Sequence, residues 1–503
     1  MPASFHVEHF GCRAARADGE AIAERLRAAG LAETRPTLAD VVVVNTCSVT
    51  AEADRAARAF IRRARRRNPN ARILVTGCYA QRAPEELAAI PGVSAVVGNS
   101  HKAFAPDVAL ALARPKQAAD SALVPLHALF AASANNSAAA PTLADDAFAH
   151  SFLEEAQLVP GAQTRPNLKI QEGCGNRCSF CVIPQTRGSS RSLPVAQILA
   201  RVRQFVADGG QELVFSGINL GRWGRDLAPT PELPRPTLAA LVRTILRETS
   251  LPRLRLSSIE PMDWDADLLA VLRDHARDGE PGSPATGLRR WGGRLAPHAH
   301  LPLQSGSDAV LRRMHRRYRP WHYEQKVAAL LRAAGPELTL GADVMAGFPG
   351  ETDREFNETL ALIRALPFGY LHLFPFSPRP GTRAWALHAE NPVPPAVVAE
   401  RMAALRQLAQ EKSLAHRRRF LGRALPAITL HTPPALAAQG RTAALTANFL
   451  PVELVEPLTA NRLITAHVTA ITPDHALEAS ASAPAAASLS PLALSSSRLA
   501  VAI

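Results

Sequence analysis

Cysteine is scarce in this chain of 503 residues: six in all, and none after residue 181. So few thiols in so long a chain exclude a fold stapled by disulfides. Long hydrophobic runs are missing too, none approaching the roughly 18 apolar residues that crossing a bilayer requires. No positive start, apolar run and small-residue cleavage site follow Met1, so a soluble, cytoplasmic protein with no membrane partner is expected. Lysine is confined to Lys102, Lys116, Lys169, Lys326 and Lys412, so the net charge of +13 rests on arginine. That excess favours an anionic partner, discounted because arginine enrichment is partly a compositional bias. A 47% apolar fraction with 20% charged residues excludes global disorder, and the length suggests about three domains.

Residues 3–111 alternate short apolar runs with helix-like segments, which predicts a small α/β domain. Val41–Val44 reads as a buried parallel strand, 52–67 as a helix and Arg72–Thr76 as the next strand. Cys12, Cys47 and Cys78 each follow a candidate strand. In a parallel sheet the carboxyl ends of the strands share one rim, where three distant cysteines can converge. Ordinary burial of a small residue is the plainer reading of each. Residues 112–165 lose periodicity around the alanine-rich 131–140 and read as a linker or insertion.

Residues 166–400 repeat a strand-then-helix pattern six times, with strands near 168–171, 212–216, 253–257, 299–303, 338–344 and 370–374. This predicts a partial (βα)6 barrel whose polar strand ends form the active face. The stretch 279–297, with Arg289, Arg290 and Arg294, reads as a surface loop. A helix over 398–420 ends in Arg417, Arg418 and Arg419. Short strand-like pieces to residue 472 predict a small β-barrel, and 473–503 reads as a disordered tail.

Cys174, Cys178 and Cys181 stand in a Cys-x3-Cys-x2-Cys loop. Three thiolates at this spacing wrap one face of an iron-sulfur cube and leave the fourth iron open to a cofactor. Structural zinc ordinarily takes a fourth cysteine or histidine, and none follows within the loop; zinc and an unligated trio are the competing readings.

The loop resembles the signature of the radical S-adenosylmethionine (SAM) enzymes, and 178–192 is similar to the extended signature of the methylthiotransferases. Asn45–Thr50, Thr76–Gln81, Leu301–Ser307, Gly347–Thr352 and Phe374–Thr382 match further motifs of that family in order. The resemblance covers 3–105 and 166–472. It implies an N-terminal flavodoxin-like α/β domain, a radical SAM barrel and a C-terminal β-barrel of the RNA-associated TRAM type. It also implies two 4Fe-4S clusters, one on Cys12, Cys47 and Cys78 and one on Cys174, Cys178 and Cys181. SAM contacts would come from Phe180, Gly217, Asn219, Ser258, Glu260 and Gln304. By that resemblance one SAM methylates sulfur at the N-terminal cluster. A second is cleaved to a 5'-deoxyadenosyl radical, which takes an unactivated hydrogen so that the substrate accepts the methylthio group.

Each supporting residue has a plainer role beside the implied one. Phe180 suits core packing, Gly217 a tight turn, and Ser258, Glu260 and Gln304 structural hydrogen bonding. Arg187 and Arg191 suit either compensation of an anionic cluster or a solvated pair. Asp343 faces substrate or a buried network, and His298 and His300 are expected to be structural. Arg55, Arg58, Arg62 and Arg66 recur at helical spacing, with Ala56, Phe60 and Ala64 as the less polar positions between them. They form a basic stripe for RNA phosphates or merely a solvated face, and Arg417–Arg419 offer a second phosphate contact.

The motifs around Cys47 and Cys78 most resemble the branch acting on N6-threonylcarbamoyladenosine at position 37 of transfer RNA. The isopentenyladenosine branch and the ribosomal-protein aspartate branch follow, and an iron-sulfur RNA-binding protein without turnover is the non-catalytic alternative. A reducing electron donor and a sulfur source complete the implied partners. After Cys12 the chain reads Arg-Ala-Ala-Arg-Ala-Asp18, where the family usually has an Asn-Gln-containing segment, so the hydrogen bonding around that cysteine departs from the pattern.

Overall fold

The run Val41–Val44 is apolar at every position because its strand is covered on both faces. In the computed structural model, which describes residues 3–113, 139–149, 165–231, 233–276 and 293–482, β1 is Ser4–His9, β2 Ala32–Glu33 and β3 Val41–Thr46. They are followed by β4 (Arg72–Gly77), β5 (Val93–Gly98) and β6 (Thr142–Leu143). The six form one sheet in the order β2-β1-β3-β4-β5-β6, with every pair parallel. Every residue of β3 is buried, between α1 (Arg13–Ala28) and α2 (Ala51–Arg67) on the two faces. Thr50 caps α2 by accepting the Ala53 N–H at 3.2 Å. Glu52 and Asp54 in the first turn and three arginines in the last complement the helix dipole.

β6 lies in the stretch that sequence alone reads as a linker. Two paired residues are too short to show a period, so nothing in composition marks them. Residues 114–138, 150–164 and 277–292, the last with Arg289 and Arg290, lie outside the described residues.

The central unit contains β7 (Asn167–Glu172), β8 (Arg191–Ser192), β9 (Glu212–Gly217) and β10 (Arg253–Leu256) in one sheet. A second sheet holds β11 (His298–His300), β12 (Thr339–Ala346) and β13 (Phe368–Pro375). Parallel bridges from Leu254 to Leu295 and from Ser258 to His300 join the two. The parallel order is therefore β7-β9-β10-β11-β12-β13, the six-stranded partial barrel that the alternation predicts. Its core runs from Ile170 and Phe215 to Leu340 and Phe368.

The C-terminal unit is a closed barrel of β14 (Ala424–Thr429), β15 (Thr442–Thr446), β16 (Pro451–Leu454), β17 (Leu463–Ile471) and β18 (Leu477–Ser482). β18 corrects the reading of 473–503 as tail from its start. Leu477 and Ala479 point inward and pair with β16 and β17. The inward residues are mostly alanine, so the strand's alternation carries little hydropathy contrast. Residues 483–503 lie outside the described residues. This barrel closes the floor of the central one: Arg255 donates to the Thr446 carbonyl at 3.3 Å, Asn448 to that of Glu337 at 3.2 Å, and Phe449 stacks 4.4 Å from His298. No helix of the described residues is long and apolar enough to cross a membrane.

Helix Pro395–Arg418 ties the units together, and His416 near its end shares a hydrogen bond with the Thr339 hydroxyl at 2.9 Å. Burial, with Arg419 and Arg417 adding, depresses the imidazole to about 4. The fold therefore favours the neutral ring, and that stability is present above about pH 6.5 and lost as pH falls through about 4. We expect a loss of about 3 kcal/mol across this window. Urea midpoints measured against pH would show it, and His416→Gln would flatten the slope.

Candidate active site

Cys12, Cys47 and Cys78 follow β1, β3 and β4, three adjacent strands, and the shared rim brings them together. Gly11 takes φ +104°, and a Cβ there would lie 2.3 Å from Cys47 Cβ, so only glycine lets the Cys12 loop cross so closely. Cys47 and Cys78 are buried and Cys12 is exposed. Burial, with the neighbouring Cys12 and Cys78 thiols adding, pushes the Cys47 thiol up to about 12. A metal must therefore displace protons to bind here.

Cys174, Cys178 and Cys181 follow β7 and line a cavity of about 510 Å³. Donors are aimed at all three sulfurs. The Asn176 and Ile183 N–H groups reach Cys174 and Cys181 Sγ at 3.4 and 3.5 Å, and Arg316 Nη1 reaches Cys178 Sγ at 3.3 Å. Such a set suits thiolates, and hence an anionic cluster. The motif ending at Thr382 packs onto this loop, with Gln185 donating to the Gly381 carbonyl at 2.9 Å and the Ala384 N–H to that of Ser179 at 2.8 Å.

The expected SAM contacts divide. Asn219 has a left-handed backbone, φ 55°, and both its amide oxygen and nitrogen are buried without a partner among the described residues. A bound polar ligand would relieve that cost. Gly217 is glycine for another reason: a Cβ would fall 2.6 Å from that of Gln171 on β7. Phe180 packs beside Val310, Met314 and Phe348 and is only partly buried. Ser258 forms the backbone bridge to His300, and Gln304, at φ 63°, forms one to Val344. Glu260 accepts from Arg316 Nη2 at 2.5 Å, so it holds the guanidinium that donates to Cys178. Arg316 was not legible in the sequence because its surroundings, 312–319, are rich in arginine throughout.

Inside the barrel, His300 Nε2 and His372 Nδ1 lie 3.1 and 3.3 Å from the same Asp343 oxygen. Burial alone would raise the Asp343 carboxyl, but the two imidazoles hold it well below the usual range. Tyr370 OH binds His300 Nδ1 at 3.0 Å and His298 Nε2 at 2.8 Å. His298 and His300 thus belong to a hydrogen-bonded layer in which Asp343 is the partly exposed acid.

The arginines also divide. Arg55, Arg62 and Arg66 are exposed on α2, whereas Arg58 is held by Tyr79 and by Glu86 at 3.1 Å. The helix buries Asp54, Ala57, Ile61 and Ala64, so Ala56, expected among its less polar surface, is instead exposed beside the arginines. Arg417 bonds to Ser413, Arg418 is exposed, and Arg419 donates to the carbonyl of Pro336, just ahead of β12. This run therefore lies at the floor of the barrel, opposite the cysteine rim.

Arg187 joins the two cysteine groups. Its Nε donates to Cys78 Sγ at 3.3 Å, and the carbonyl of the next residue, Gly188, accepts from Cys174 N–H at 3.0 Å. Asn99 Nδ2 reaches both Cys78 Sγ and the Thr186 carbonyl, at 3.3 and 2.8 Å. Arg191 supports the turn by donating to the Arg187 carbonyl at 3.0 Å. Arg187 and Gly188 thus link the Cys78 end of the N-terminal sheet to the Cys174 loop of the barrel.

Residues 4–98 match the family described as Uncharacterized protein family UPF0004, and 168–363 match the Radical SAM superfamily. The chain is 32% identical over 421 residues to the threonylcarbamoyladenosine tRNA methylthiotransferase MtaB of Thermotoga maritima, covering 83% of this chain and 84% of that one. It is 33% identical over 426 residues to the tRNA-2-methylthio-N(6)-dimethylallyladenosine synthase of Novosphingobium aromaticivorans, covering 84% and 85%. Among solved structures, the radical SAM methyltransferase TsrM of Kitasatospora setae superposes with a TM-score of 0.50 at 15% identity, covering 78% of this chain and 75% of that one, a likeness of fold alone. Five ordered motifs, a Cys-x3-Cys-x2-Cys loop inside the matched radical SAM region and identity across most of the length agree: this chain belongs to the radical SAM methylthiotransferases.

Proposed function

We propose that the chain adds a methylthio group to carbon 2 of N6-threonylcarbamoyladenosine at position 37 of transfer RNA, using SAM and two 4Fe-4S clusters. The observation that carries this reading is the link between the two cysteine groups, Arg187 Nε on Cys78 Sγ and the next residue's carbonyl on the Cys174 N–H. Cys174, Cys178 and Cys181 would hold a cluster able to supply the electron for SAM cleavage, and Cys12, Cys47 and Cys78 one able to supply the sulfur. Asn219 offers its unpaired amide to the amino-acid end of SAM. Glu260 fixes Arg316 so that its Nη1 stays on Cys178. The C-terminal barrel keeps water from the floor of the lumen through Phe449 and Arg255. The substrate assignment is supported by relatives named for threonylcarbamoyladenosine at 31–34% identity.

Nucleoside mass analysis of transfer RNA from cells lacking and then regaining the protein tests it. The expected result is loss and return of the methylthio mass on threonylcarbamoyladenosine. Return on the dimethylallyl nucleoside instead would favour the activity named for the 33% identical relatives.

Arg55, Arg62 and Arg66 are proposed phosphate contacts. At 1.5 Å per residue, Arg62 and Arg66 lie about 16 and 22 Å along α2 from its start at the rim, a reach suited to a stem whose loop enters the site. Alanine at both Arg62 and Arg66 should weaken transfer RNA binding and lower the slope of log K against log salt by about one unit per contact. An unchanged binding curve across the salt series would return them to a solvated face.

A further inference from the structure

Five charged side chains lie buried between the N-terminal domain and the barrel. Asp18 of α1 meets Lys102 from its own domain and, across the boundary, Lys169 of β7 and Arg187. Glu172, two residues before Cys174, meets Lys169 and Arg187. Asp18, Lys102, Glu172 and Arg187 are each no more than 1% exposed. Burial opposes every charge here and lowers Lys102, yet the cations hold both carboxyls below their usual range.

Isolated buried charges are costly, and they persist where each has its partner. Among the described residues, Lys102, Lys169 and Arg187 meet Asp18 and Glu172. The bonds of Arg187 fix its orientation. Its Nη1 serves Glu172 at 2.7 Å and both terminal nitrogens serve Asp18 at 3.2 Å, which leaves Nε for Cys78 Sγ at 3.3 Å. The guanidinium is planar and gripped on two edges, so the third N–H is held on the sulfur.

Resting on the two-cluster reading, we infer that Arg187, fixed by Asp18 and Glu172 and backed by Lys102 and Lys169, is a positioning residue for the N-terminal cluster. It presents a buried positive charge and an N–H donor to Cys78, which an anionic cluster there would meet. A cation and a hydrogen bond at a ligand sulfur favour the reduced, more negative cluster and raise its potential. The same side chain is locked to the Glu172–Cys174 strand end, so it holds the sulfur-bearing site against the barrel. Loading the cluster therefore also fastens the interface.

The test is a redox titration followed by electron paramagnetic resonance on full-length, reconstituted protein, with iron counted in each sample. Arg187→Met should lower the N-terminal cluster's reduction equilibrium constant at least tenfold, equivalent to about 59 mV for one electron, and shift the barrel cluster less. Arg187→Lys should recover part of the shift through charge alone. Hydrogen exchange should show α1 and β7 protected by cluster loading in wild type and less so in Arg187→Met. An N-terminal cluster with the same potential in wild type and Arg187→Met overturns the role of Arg187 and leaves the two-cluster reading standing. Wild type that takes up only the barrel cluster overturns that reading and this inference with it. If Arg187→Met cannot be reconstituted, Lys102→Met carries the test, because Arg187 then keeps its sulfur contact. The potential should fall by a smaller amount, and no change overturns the proposal.

Discussion

Cys47→Ala should abolish methylthio transfer while leaving SAM cleavage in place. Cys47 lies on the rim of the N-terminal sheet, in van der Waals reach of the Gly11 turn and beside Cys12 and Cys78, whereas the loop proposed to hold the SAM-cleaving cluster belongs to the barrel. Removing one of three ligands leaves two cysteines, too few to hold a cube against solvent, so product should fall by at least about a thousandfold, the scale of losing an essential group. 5'-Deoxyadenosine should form at a rate within about threefold of wild type. Both products are measured in one reaction, after iron and spectra establish that the barrel cluster is loaded. Normal methylthiolated nucleoside from this variant would overturn the ligand role of Cys47. Loss of 5'-deoxyadenosine as well, with the barrel cluster present, would show that the domains are coupled too tightly for the steps to separate.

Cys178→Ala is expected to have the complementary effect and to remove the whole reaction. Its sulfur is the one that Arg316 faces, with Glu260 behind it. Without that thiolate the barrel loop offers two ligands, and Arg316 Nη1 loses its partner while Glu260 still holds Nη2. SAM cleavage should drop below detection, and with it every downstream product, a loss of several powers of ten. Iron should fall to roughly half, the remainder carrying the spectrum of the N-terminal cluster. Iron quantification with Mössbauer spectra reads both. Retention of SAM cleavage in this variant would place the SAM-binding cluster elsewhere.

The sequence alone went far with the cysteines and the strands. The three-residue and two-residue gaps around Cys178 restrict which atoms can meet, whatever surrounds them. The valines of β3 declare a doubly covered strand, since only a buried strand dispenses with polar alternation. β18 escaped notice because alanine facing inward and serine facing outward differ little in hydropathy, and β6 because two residues show no period.

Which charges meet was decided by tertiary structure. Asp18, Lys102, Lys169, Glu172 and Arg187 span 169 positions of the chain, and nothing local distinguishes them from solvated residues. Their burial against one another, and against Cys78, exists only once α1 docks on β7. The arginines make the same point in the other direction: the spacing of Arg55, Arg58, Arg62 and Arg66 is one helical face, yet packing commits Arg58 to Tyr79 and Glu86 and sends Arg417–Arg419 to the far end of the barrel. Covalent spacing determines ligand loops and periodicity determines elements, because both act over a few residues. The partner of a charge depends on which surfaces exclude water together, and only the assembled domains settle that.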